Sequence, residues 1–228
     1  MQKIMEPIFE IGYLLFAMVA GVLFLLLYHR KKDVKILLLG LMTLLLGVGD
    51  AFHLIPRMIG LLSDGLENHT FSLGLGKLLT SLTMTAFYIL FYLFFVKKYE
   101  KQNTRLLTIL FCALAFIRVV LVALPQNGWF EKNPSYLFAI LRNIPFCLMG
   151  ALFIVIAFRW ARGDRYFKLT YILVFFSFLF YMGTVLFASK YSWTGLLMLP
   201  KTVCYIWIIA NALRYAFHSN QATVNLSE

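Results

Sequence analysis

With 228 residues, 61% of them apolar, and a mean hydropathy of +0.81, the chain lies outside the class of soluble domains, whose apolar share is about 45–50%. Its formal charge of +11 would suggest a nucleic-acid partner in a soluble protein. Here the basic residues fall in short loops between apolar runs, which marks membrane topology and excludes a nucleic-acid surface.

In chain order, seven segments reach the length of about 20 largely apolar residues that spanning a bilayer requires. They are residues 8–28, 36–57, 71–96, 105–124, 136–158, 167–189 and 193–216. The expected fold class is therefore an all-α integral membrane protein with one seven-helix domain over residues 1–218. The polar tail, 219–228, reads as disordered. No small-residue cleavage site follows the first apolar run, so that run reads as a retained helix. Cys112, Cys147 and Cys204 sit inside apolar segments without metal-ligand spacing, so neither a disulfide framework nor a zinc site is expected, and no cofactor is.

Orientation follows from the loops. Arg30, Lys31, Lys32 and Lys35 flank the first loop, Lys97, Lys98, Lys101 and Arg105 the third, and Arg159, Arg162, Arg165 and Lys168 the fifth. With Arg214, these place 13 of the 21 basic residues on one side. Lys3, Arg57, Lys132 and Lys190 make up the other. The expectation is a multi-pass cell-membrane protein with its N-terminus outside and its C-terminus in the cytoplasm.

Four cations remain within the helices: Lys77, Arg118, Arg142 and Lys201. A charge at a helix centre costs about 2.5–3.5 kcal/mol on insertion scales, so such residues face a partner or a cavity. At about 1.5 Å rise per residue, all four fall at or above the midplane, toward the outside. On the second helix Asp50, His53 and Arg57 are spaced three and four apart, with Thr43 and Gly47 behind them, and form one polar stripe. Asp50 reads as the only acid deep in the bilayer, with Glu10 nearer the outer surface. One reading is a structural ion-pair network in which Asp50 holds Lys201 or Lys77. The other is that one carboxylate cannot neutralise four cations, so the surplus awaits an anionic ligand, a lipid headgroup, or a lysine held neutral. Ser81 on the third helix, Asn143 beside Arg142, and Tyr205 one turn beyond Lys201 complete the candidate ligand-binding set. Pro145 and Pro200 are expected to bend their helices beside a charge. His53 reads either as a proton carrier or as a hydrogen-bonded structural residue. His29, His69 and His218 lie in loops or at a helix end, so no metal site is expected.

Leu75-Gly76-Lys77 echoes Leu199-Pro200-Lys201, and this is compatible with a parallel 3+1+3 repeat. The topology resembles that of SWEET-type sugar transporters and of rhodopsins. Lys201 on the seventh helix looks like the retinal-bearing lysine of the latter, which would imply a Schiff base with Asp50 as counter-ion, although the third helix carries no carboxylate. Gly47-x-Gly-Asp50-x-Phe-His53 is similar to the second-helix motif of alkaline ceramidase and adiponectin-receptor-like intramembrane hydrolases. Asp50 stands where that family has serine, and its late histidine pair is replaced by the Lys201 and Tyr205 region. The stretch from Gly47 through Phe71-Ser-Leu-Gly74-Leu to Phe87-Tyr88 resembles the lysoplasmalogenases, which carry a second acid in a late helix that this chain lacks. Segments such as Gly-Asp-Ala-Phe-His-Leu-Ile-Pro-Arg resemble uncharacterised bacterial seven-helix membrane proteins.

The functional expectation is a carrier or receptor with an outward-facing, net-cationic pocket for a small anionic or amphipathic ligand, with membrane lipid as its surroundings. Alternatives are an intramembrane lipid hydrolase using Asp50 and His53, or a structural partner in a membrane complex.

Overall fold

A computed structural model of the protein describes residues 2–63, 65–187 and 190–218, with the side chains of residues 2–4, 66 and 192 outside the description. The tail expected at 219–228 also lies outside the described residues. The helices are α1 (Gln2–Lys31), α2 (Val34–Leu62), α3 (Thr70–Lys98), α4 (Arg105–Ala123), α5 (Tyr136–Leu141), α6 (Ile144–Ala161), α7 (Thr170–Phe187) and α8 (Met198–His218). Seven segments are long and apolar enough to cross a membrane, α5 and α6 together supplying the fifth. Large apolar side chains such as Leu15, Phe116, Leu137, Leu179 and Trp207 are exposed around the bundle. In water that surface would aggregate, whereas hydrocarbon solvates it.

The helices pack in sequence order, and α8 closes the ring on α1 and α2 while α3 crosses to α6. One end of the bundle, the N-terminal face, joins Glu6 to Arg57 and the Tyr136 hydroxyl to the Leu186 carbonyl at 3.2 Å. The opposite, basic face joins Lys98 to Asp164 at 2.9 Å and Lys31 to the carbonyl of Ala216.

Local chemistry sets the helix ends. The Asp33 carboxylate accepts from the Lys35 amide at 2.9 Å and starts α2. The Asn127 side-chain amide donates to the carbonyls of Leu121, Val122 and Leu124, satisfying the free end of α4. Pro145 lacks an amide and stands in the first turn of α6, so the fifth span breaks at Arg142 and Asn143 rather than merely bending. Pro200, where a bend is expected, lies at a helix start. Residues Ser192–Leu197 form a 3-10 turn and α8 begins at Met198, so Pro200 sits in a first turn, where a missing amide costs no helical hydrogen bond.

Close helix approach is concentrated between α2 and α3. Pro56 lies inside α2, which removes the amide that would bond the Phe52 carbonyl. Gly76 of α3 packs at that place, where a Cβ would overlap the backbone of Phe52 and His53. Gly49 meets the Thr83 side chain in the same way, and the Thr80 hydroxyl donates to the Gly49 carbonyl at 2.8 Å.

Candidate functional site

On α1, Glu6, Glu10, Tyr13, Ala17, Ala20 and Phe24 are all buried. Their spacing of three and four residues makes one helix face, turned toward α2 and α8. Asp50 therefore shares this end of the bundle with two further buried acids: Glu6 is 8% exposed and Glu10 is 4% exposed. Both line a cavity with Tyr13, Asp50, His53, Thr80, Lys201 and Thr202. Its volume of about 30 Å³ has room for about two waters.

Within this compartment Arg57 pairs with Glu6. The Tyr13 hydroxyl donates to Asp50 Oδ2 at 2.7 Å, and Asp50 also feels the charge of Lys201. Glu10 Oε2 and His53 Nδ1 are buried without a hydrogen-bond partner. Asp50 and His53 share the cavity wall, but Asp50 is engaged by Tyr13 and no hydrogen bond joins the two among the described residues.

A second compartment lies between α4, the α5–α6 break and α7. Arg118 is 1% exposed, with its guanidinium 3.3 Å from the centre of the Phe146 ring and with Nε and Nη1 unpartnered. Arg142 donates from Nη1 to Asn127 Oδ1 at 2.8 Å and lies over Trp129 at 4.1 Å. The Tyr181 hydroxyl donates to Asn143 Oδ1 at 2.8 Å. Lys201 bridges the compartments, because its ammonium is 5.1 Å from the Tyr181 ring and 5.7 Å from the Tyr205 ring. None of the helices from α3 to α8 carries an aspartate or glutamate. Among α1 to α8 the acids are thus confined to α1 and α2, while Lys77, Arg118 and Lys201 lie on the helices that follow and Arg142 at the α5–α6 break.

No known protein in the comparisons resembles this chain closely enough to match: family models, curated proteins and solved structures alike give none.

Of the expected site residues, Asp50, His53 and Lys201 line the cavity, with Arg57 at its edge through Glu6. Arg118, Arg142 and Asn143 form the second compartment. Tyr205 forms the common floor, its hydroxyl 3.0 Å from that of Tyr88. Two residues lie outside the cavity wall: Lys77 is exposed, although His53 and Arg142 lie within the field of its charge, and the Ser81 hydroxyl donates back to the Lys77 carbonyl at 2.7 Å. Below the floor the core is aromatic, with Phe87, Phe91, Phe95 and Phe153 fully buried. The next charges are Lys98 and Asp164 at the basic face. Among the described residues no group of three or more His, Cys, Asp or Glu is placed to hold a metal ion.

Proposed function

We propose that the protein is a cell-membrane carrier or receptor whose N-terminal face lies outside the cytoplasm and admits a small anionic or amphipathic ligand. The distribution of Lys and Arg between the loops supports that orientation. The observation that carries the reading is Arg118: an arginine 1% exposed, with two guanidinium nitrogens unpartnered. No acid lies on its own helix or on α5, α6 and α7 around it. A structural arginine at this depth would be paired, since an uncompensated buried charge costs several kcal/mol. An anionic head between Arg118, Arg142 and Lys201 supplies the missing charge, and Phe146, Tyr181 and Tyr205 offer faces for an apolar body.

The aromatic core below Tyr205 closes the site toward the basic face. The cavity lined by Lys201 has room for about two waters, so a larger ligand is admitted by displacement of the helices around Lys201. Native mass spectrometry of the gently purified protein tests the reading. A carboxylate-bearing or phosphate-bearing molecule is expected to co-purify with it and to be lost from Lys201→Met. An empty spectrum for the parent protein, with Lys201→Met merely less stable, would instead support a structural ion-pair network.

A second reading, lipid hydrolysis, draws on Asp50 and His53 sharing a cavity with room for water. It requires turnover of a lipid panel that Asp50→Asn abolishes with the fold intact, and absence of turnover by the parent protein rules it out.

A further inference from the structure

The separation of acids and cations across the bundle leaves one carboxylate without an ion pair of its own among the described residues, the nearby Arg57 being paired to Glu6. Glu6 has Arg57, and Asp50 has Tyr13 and the field of Lys201. Glu10 is 4% exposed, lines the cavity, and has an oxygen with no partner. Among the described residues it forms no ion pair. The charged and titratable groups around it are Glu6 and Tyr13 from α1, Asp50, His53 and Arg57 from α2, and Lys201 from α8, while α3 offers the hydroxyl of Thr80.

We infer that the Glu10 carboxylate binds a proton taken up together with the anion, so that the site couples one anion to one proton. The inference rests on the anion site proposed above. Lys201 is the link. It lines the acid cavity and faces Asp50, yet its ammonium also lies over Tyr181, within the field of Arg118. An anion held by Arg118 attracts that ammonium and weakens its compensation of Asp50. The acid compartment then carries uncompensated negative charge, and Glu10, which only shares the field of Arg57 with Glu6 and has neither an ion pair nor a donor to its Oε2, is where a proton relieves it. Solvent supplies the proton, a carboxylate becomes a carboxylic acid, and the total charge of the two compartments is the same before and after.

The test uses benzoate and decanoate as probes on the purified full-length chain, with affinity measured from about pH 6 to pH 9 and proton uptake followed by an indicator dye in weak buffer. Coupling to one proton weakens the affinity by up to about tenfold per pH unit above the titration of the site. Glu10→Gln is expected to bind the probes without a pH slope and without proton uptake, and Glu10→Asp, which keeps a carboxylate, is expected to retain both. Binding with no slope in the parent protein, or a slope that survives in Glu10→Gln, overturns the coupling and leaves the anion site standing. Failure of the parent protein to bind either probe at any pH overturns the anion site and the coupling with it. A Glu10→Gln variant that does not fold transfers the decision to the parent protein and Glu10→Asp, where an absent slope or absent proton uptake overturns the inference.

Discussion

Arg118 separates a ligand site from a structural clamp because it has no acid to clamp. Replacing one partner of a buried ion pair is strongly destabilising, at about 3–5 kcal/mol, whereas Arg118→Met removes no such partner and keeps much of the side-chain volume over Phe146. The expected outcome, read by thermal denaturation in detergent, is a melting temperature equal to or above that of the parent; a large fall would make Arg118 a structural hub. At this scale the sequence was informative about charges inside apolar runs, because insertion cost makes each of them conspicuous: Asp50, His53, Arg118, Arg142 and Lys201 could all be named from it. The sequence places Glu10 only nearer the outer surface and does not single out Glu6. Their signal was the continuing stripe Glu6, Glu10, Tyr13, Ala17, Ala20 and Phe24, which puts both acids on the same face as the small and aromatic residues of the core. Asn127 and Trp129, which hold Arg142, lie in a loop, where periodicity gives no sign of burial.

Between elements, the α2–α3 contact depends on backbone approach. Gly76→Ala puts a methyl group against the Phe52 and His53 backbone, which cannot yield as a flexible side chain can. The expected loss is about 1–3 kcal/mol, read as a lower melting temperature, whereas Gly12→Ala, with nothing within 4 Å of its new Cβ, is expected to be neutral. At the basic face, Asp164 accepts from the amides of Tyr166 and Phe167 at 2.7 and 2.9 Å and pairs with Lys98 at 2.9 Å. Burial pushes its carboxyl up, but these bonds outweigh burial and hold it below the usual carboxylate range. A depressed carboxylate stabilises the fold above its unfolded titration point, and that contribution disappears as pH falls through the lower folded value. Acid unfolding monitored by melting temperature is therefore expected to lose a step in Asp164→Asn, and an unchanged acid limb would contradict this. The existence of seven spans was legible from apolar run length alone. Their ends were less so, because capping and proline position decide them: Pro145 breaks a span where a bend was expected, and Pro200 starts a helix.

For the whole molecule, the proposed orientation places the loop with Lys132 outside and the loop with Arg162 inside. Lys132→Cys is expected to react with an impermeant thiol reagent in intact cells and Arg162→Cys only after permeabilisation, with the reverse pattern inverting the topology. The charge segregation belongs to this scale as well. Acids on α1 and α2 meet cations on α8 only because the ring closes, and closure of a ring has no signature in local sequence. The most direct measurement for the ligand site is calorimetric titration of decanoate into the purified protein and into Arg118→Met. Saturable binding to the parent protein is expected, weakened at least about tenfold in the variant, the order of one charge-assisted hydrogen bond. No saturable binding to the parent protein, or equal binding by both, would contradict it.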